Sequence, residues 1–479
     1  MMRNDPLSTA DVAAFVDARA PAFISLSDRV WAMPELRFEE RRSAAEHIAM
    51  LDAEGFRVER GIAGIDTAFI GEAGEGDLVI GFLGEFDALA GLSQESGVVE
   101  PMTGTPGANG HGCGHNLLGA ASLLAAVSLR DALAERGIAA RVRYYGCPAE
   151  EGGSGKTFMA RAGVFDDLDA AFCWHPCVYN GVMSTSTLAN VQAYFRFTGR
   201  AAHAALSPHL GRSALDAVEL MNVGINYLRE HMPPDARVHY AITDTGGVSP
   251  NVVQASAEGL YLVRAAQADE ARTLFERVRK IAEGAALMTG TEMSMVFDRA
   301  TSNVLPNQVL ETAMHANLTR LGPPAFDAED HAFAARLRAA AISDDDVKAS
   351  ADAFGGPANF ARALHDEILP MPERPGLLSG STDVGDVSWI VPTAQCETAT
   401  AAIGTPLHTW QMVTQGKLPA AHKGMVLAAK VMAATAADAI RDPDLLAAAK
   451  AELKRRTGGR PYVSPLPADL EPPKGSSRR

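Results

Sequence analysis

The chain has 479 residues, 47% hydrophobic and 21% charged, the balance of a globular enzyme with enough chain for two domains. Its 43 basic and 58 acidic residues leave a net charge of −15, which argues against nucleic acid or an anionic membrane as the main partner. Five cysteines, spaced unlike a disulfide framework, point to a reducing compartment.

The opening stretch, MMRNDPLSTADVAAFVDARA, has no apolar core of signal-peptide type, and a cytoplasmic protein is expected. Helix-period apolar positions run through 9–55 and stop at Gly55. Residues 67–89 read as two strands across a Gly-rich turn. The second runs apolar into Gly84, as a strand covered on both faces does. GHGCGHNLLGA (110–120) follows a Gly/Pro-rich loop (104–110) and leads into a helix over 117–135. Its apolar part, 117–129, is too short to span a bilayer and reads as buried. ARVRYYGCPAEE (140–151) and DAAFCWHP (169–176) are strands ending in polar residues. The alternation specifies an α/β half, whose functional groups gather at the carboxyl ends of strands. Asp87, Glu150, Glu151 and His175 fall there.

Near residue 190 the character changes. NVQAYFRFTGRAAHAA alternates like a strand with one exposed face. A long helix, strands at 237–243 and 257–265, a helix at 269–288 and the strand EMSMVFDRA follow. That β-α-β-β-α-β order suits a small α/β sandwich. From about 303 the first pattern returns and closes on a helix over 421–440. A domain at 191–302 is therefore expected inside a discontinuous one, 1–190 and 303–479. The Pro-, Gly- and charge-rich tail after Lys454 reads as extended or mobile.

Metal sites need several N, O or S donors at one point. Cys113, His115, Glu150, Glu151, His175 and His422 sit at expected strand ends or in loops. A lone His is more often structural, but the set as a group argues for a metal. Adjacent carboxylates such as Glu150 and Glu151 repel unless a cation or proton compensates. One can ligate while the other acts as a base toward water. GGSGKT (152–157) mimics the end of a phosphate loop, but Glu150 stands where the first Gly belongs and would repel phosphate. Cys173, His175 and Cys177 mimic a zinc cluster, for which the structural reading has the edge.

GEFDAL, GHGCGHNLLGA, CPAEEGGSGKTFMARAGVFDDLDAAFCWHP, GRAAHAALSPHLGRSALDA, GGVSPNVVQASAEGLYLVRA, STDVGDVSW and AAHKGM together resemble the M20 metallopeptidase family. The likeness is to its amidohydrolase branch, of the p-aminobenzoyl-glutamate hydrolase type. It implies a dinuclear-metal aminopeptidase-like catalytic domain with an inserted α/β sandwich that serves as lid and dimerisation domain. The metal ligands it implies are Cys113, in the shared position, and His115, Glu151, His175 and His422. Glu150 matches the general base and Asp87 a carboxylate that orients a ligand imidazole. His203 matches the oxyanion-stabilising histidine. Asn251 and Arg264 match residues that hold the substrate carboxylate, a task suited to a planar guanidinium. Asp383 is expected to support the site from behind its ligands. Asn116 stands where many relatives carry Asp, as is typical of that type. His111 and His209 receive no assigned role.

The resemblance further implies two divalent ions, zinc or manganese, with cobalt also open. It implies an N-acyl amino acid substrate, p-aminobenzoyl-glutamate first, with indole-acetyl-aspartate or a dipeptide as alternatives. A homodimer is expected, with a second subunit also in view, and neither nucleic acid nor membrane. Two other classes stay open, a metal-dependent deaminase of an aromatic amine and a non-catalytic homologue.

Overall fold

A computed structural model describes residues 7–105, 107–357 and 362–474. The first six residues and the last five of the tail lie outside the described residues, as do 106 and 358–361. In chain order the strands are β1 (Arg57–Arg60), β2 (Phe69–Glu75), β3 (Val79–Glu85), β4 (Ala140–Cys147), β5 (Ala170–Cys177), β6 (Gly181–Val182), β7 (Thr185–Thr187), β8 (Ala189–Thr198), β9 (Arg237–Asp244), β10 (Ser256–Ala265), β11 (Glu292–Thr301), β12 (Gly376–Leu378) and β13 (Thr393–Ala399).

The larger sheet has the order β1-β2-β4-β3-β5-β13-β6. Its middle strands β4, β3, β5 and β13 are parallel, and β1, β2 and β6 are antiparallel at the edges. All seven residues of β3 are buried, which explains its unbroken apolar sequence. From β3 the chain crosses to β4 on one side, then to β5 on the other. The order reverses there, and the crevice at the carboxyl ends of these strands is where an open α/β sheet places a ligand.

The helix His115–Arg136 lies over one face with the helices Thr9–Trp31 and Pro419–Arg441. It extends past the apolar stretch 117–129 and is long and apolar enough by composition to cross a membrane. Its buried residues, from His115 to Leu133, account for that apolarity within the fold. Ser8 starts the first helix with a capping box shared with Asp11.

A separate four-stranded antiparallel sheet has the order β11-β8-β10-β9. Buried and less buried positions alternate along β10, and Phe195, Phe197, Tyr261 and Val263 pack with the helices Ala214–Arg229 and Ala268–Thr289. The chain order is the β-α-β-β-α-β read from the sequence. β9 is an edge strand with only Val238 buried.

The tail is extended but held. Arg161 donates to the carbonyls of Pro467 and Leu470 at 2.5 Å. The Tyr462 hydroxyl donates to Asp386 Oδ1 at 2.8 Å, and Leu466 joins the core. Of the two expected states of the tail, extended or mobile, residues 458–474 show the extended one, held by these anchors.

Candidate metal centre and active site

Five side chains from the expected set, Cys113, His115, Glu150, Glu151 and His175, converge near the carboxyl ends of β3, β4 and β5. Cys113 Sγ lies 3.4 Å from His175 Nε2. His115 Nε2 is 4.0 Å from both Glu150 Oε2 and Glu151 Oε1. Asp87 holds two of these groups at once. His115 Nδ1 donates to its Oδ1 at 2.9 Å, and the Glu151 backbone N–H donates to its Oδ2 at 2.8 Å. The His115 ring is thereby aimed with Nε2 inward. Gly114, at φ 77°, turns the chain from Cys113 into the helix that His115 begins, a left-handed conformation that favours glycine. A Cβ on Gly110 would lie 2.2 Å from the Leu92 carbonyl oxygen, so the loop admits no side chain there.

His408 completes the group, and the sequence reading missed it. Its backbone N–H donates to the Gly112 carbonyl at 2.7 Å, which draws the loop GTPLHTW against the Cys113 turn. Its Nε2 is 3.2 Å from Glu151 Oε2, and it stands in left-handed backbone at φ 61°. Cys113, Glu151 and His408 form one donor group, Cys113, His115 and His175 another, and Glu85, His115 and Glu150 a third.

His422 is not brought into any of these groups among the described residues. It sits in the first turn of the helix Pro419–Arg441 and makes a hydrogen-bonded pair with Asp28 Oδ1 at 2.9 Å. There it lines a cleft beside Lys423 and Lys430. The structure does not bring His422, the expected last ligand, to the other donors; its ring is paired with Asp28 on the helical layer. The signal for His408 was present. It follows Gly404 and Pro406 in a loop, where site residues concentrate.

The donor set fits divalent metal ions. His115 Nε2 and Glu151 Oε1 are buried without a hydrogen-bond partner, and such orphaned atoms call for an ion or water. Thiolate, imidazole and carboxylate together suit zinc-like ions. Burial, reinforced by Glu85 and Glu151, pushes the Glu150 carboxyl well above the usual range. Burial, with Asp87 and Glu85, lifts Glu151 to about 7, and burial raises the Cys113 thiol. A cation among these groups offsets what burial and mutual repulsion cost them.

The other expected residues have definite places. Asp383 is fully enclosed and accepts from the Lys156 backbone N–H at 2.8 Å. Lys156 and Glu85, both buried, were missed by the sequence reading. His111 is buried with Nε2 donating to the Val30 carbonyl at 3.1 Å, so it shapes the turn. Asn116 donates to Ser27 Oγ at 3.0 Å and to the Gly416 carbonyl at 2.9 Å. Cys173 and Cys177 are free, buried thiols in different core clusters.

Arg264 on β10 donates to Ser381 Oγ at 2.9 Å, joining the smaller sheet to the segment before Asp383. Arg299, also missed, is half-buried on β11 and donates to the Glu151 carbonyl at 3.3 Å, while its Nε has no partner. His203 and Asn251 lie on adjoining exposed loops. The Ala204 N–H donates to the Asn251 carbonyl at 3.0 Å. Backbone N–H groups of Ala205 and Leu206 donate to His203 Nδ1 at 3.2 Å each, which leaves Nε2 as a donor. His209 is exposed in the short turn Pro208–Leu210.

A parallel sheet whose strand ends gather thiolate, imidazole and paired carboxylates defines a metal-dependent hydrolase, and the chain belongs to the M20 family of peptidases and amidohydrolases. Residues 187–288 match that family's peptidase dimerisation domain. The chain is 50% identical over 466 residues to a subunit of p-aminobenzoyl-glutamate hydrolase from Escherichia coli, covering 95% of this chain and 97% of that protein. It is 32% identical over 456 residues to the Xaa-Arg dipeptidase of Mus musculus, covering 92% and 90%. A dinuclear metal binding peptidase of the M20 family from Bacillus subtilis shares the fold with a TM-score of 0.54, at 18% identity and 89% and 99% coverage. The chain is accordingly an enzyme that hydrolyses carbon–nitrogen amide bonds.

Proposed function

We propose that this enzyme cleaves the amide bond of an N-acyl amino acid, with p-aminobenzoyl-glutamate as the first substrate. The observation that carries the reading is the gathering of His115, Glu151, His175 and His408 in donor groups that share Cys113, with Glu150 beside His115. Two divalent ions held by those five residues would supply Lewis-acid activation of a water and of the scissile carbonyl. Zinc or manganese fits the mixed donors, with cobalt open.

Glu150 takes the proton of the attacking water and passes it to the leaving nitrogen. His203, with Nε2–H free to donate, stabilises the oxygen of the tetrahedral carbon. Asn251 and Arg264 hold the carboxylate of the leaving amino acid. Arg264 with its neighbour Arg299 makes the lid side of the cleft cationic. That favours an anionic leaving group over the arginine of an Xaa-Arg dipeptide. Within this reading, residues 1–190 and 303–479 form the catalytic domain and 191–302 the lid.

A homodimer formed through the lid is part of the proposal. The edge strand β9 exposes Tyr240 and Ile242, and such an edge invites a second strand. The relative is itself designated one subunit of its hydrolase, which supports a second, different subunit here. The free, buried state of all five cysteines supports a reducing, cytoplasmic setting.

A panel of N-acyl amino acids, with chelator and with added manganese or zinc, tests the reading. The expected result is release of the free amino acid, lost with chelator and restored by metal. Release of ammonia without the amino acid would instead indicate a deaminase.

A further inference from the structure

Lys156 is the residue of GGSGKT left without a task by the active site. Its ammonium is fully buried, a costly position unless it is paired. The partners are Glu85 Oε1 at 2.6 Å and Asp383 Oδ1, and Asp383 Oδ2 also accepts the Lys156 backbone N–H. The turn that delivers Lys156 is tight, since a Cβ on Gly155 would lie 2.0 Å from the Pro148 carbonyl oxygen. Lys156 is thereby drawn beneath the strand end that carries Glu150 and Glu151.

Glu85 ends β3 two residues before Asp87, and alternation turns both toward one side. Its second oxygen is 3.3 Å from His115 Nε2, the nitrogen that lacks a hydrogen-bond partner. Glu85 therefore stands within reach of the metal centre as a sixth donor. A divalent ion and the Lys156 ammonium compete for the same carboxylate. A catalytic centre needs an open coordination position, and a closed ligand set makes a structural one.

We propose that Lys156, anchored by Asp383, is a positioning residue that holds Glu85 off the metal centre and so keeps a coordination position open for water. The proposal rests on the metal-dependent reading above and assigns a role to the buried trio Glu85, Lys156 and Asp383.

The test titrates the metal-free full-length protein with Zn²⁺ against a chromophoric chelator and, separately, measures kcat and KM. In Lys156→Met the freed carboxylate joins the metal. Zn²⁺ then binds about tenfold more tightly, and kcat falls about tenfold or more with little change in KM. The double variant K156M/E85Q removes that carboxylate and returns Zn²⁺ affinity to the wild-type value. Glu85→Gln alone, which decides the matter if Lys156→Met does not fold, keeps wild-type Zn²⁺ affinity. Unchanged or weaker Zn²⁺ binding in folded Lys156→Met overturns the proposal. So does a double variant that stays tight, or about tenfold weaker binding in Glu85→Gln. These titrations are independent of which amide is cleaved, so failure of the substrate reading is separable from failure here.

Discussion

On the proposed reading, a single imidazole decides how the metal centre is closed. His408 reaches Glu151 because its own backbone is tied to Gly112, whereas His422 is tied to Asp28. Replacing His408 with Ala should weaken metal binding by about tenfold or more, and replacing His422 with Ala should leave it unchanged, as metal analysis after dialysis will read. The two-residue spacing of Cys113 and His115 and the adjacent pair Glu150 and Glu151 were legible in sequence, since each pair is local. The proposed last ligand, His408, was not, because a long-range backbone hydrogen bond to Gly112 draws it to the site. Asn116 shows what one substitution does locally. Its amide donates to the Gly416 carbonyl, and an ionised Asp there would face that oxygen with no proton to give.

A second residue contributes to the response to acid. His47 is enclosed, its Nδ1 donating to the Ser43 carbonyl at 2.8 Å and its ring 6.0 Å from that of Tyr144. Burial lowers it from 6.5 to about 4. The folded protein holds it neutral while the unfolded chain protonates below 6.5. Its stabilising contribution is thus complete above that pH and is lost as pH falls toward 4, up to about 3 kcal/mol. Urea unfolding at neutral pH and at about pH 5 should show this loss in the wild type and a shallower one in His47→Gln.

At the scale of elements, the alternation of strands and helices and the small sandwich were legible because their period is written in burial. β3 is apolar throughout and β10 alternates. The helices Gln308–Leu321, Ala328–Ala341, Asp344–Phe354 and Pro443–Thr457 were not read individually. The hydrophobic stripe of Ala328–Ala341 is thin, with three buried positions, so periodicity gives little signal. The extended form of the tail was legible in its Pro- and Gly-rich composition, but its anchors were not, because they lie elsewhere in the chain. Asp386 gathers Thr157 Oγ1 at 2.6 Å, Ser302 Oγ at 2.7 Å and the Tyr462 hydroxyl at 2.8 Å. The start of the helix Gly155–Arg161, the exit from β11 and the tail thus meet at one buried carboxylate. Tyr462→Phe should lower unfolding stability by about 1–3 kcal/mol, read as a shift in the urea midpoint at constant slope.

For the whole molecule, the metal centre belongs to the larger sheet while His203 and Asn251 lie on exposed loops of the smaller one. Arg264 is the expected lid residue that already spans the two, through Ser381. Catalysis on this account needs the lid's donors to meet a centre whose proton traffic runs through Glu150. Glu150→Gln tests that claim most directly, with metal content and turnover of the preferred N-acyl amino acid measured on the same sample. The account predicts wild-type metal content and a fall in kcat of about a hundredfold or more. Full metal content with wild-type turnover would contradict it.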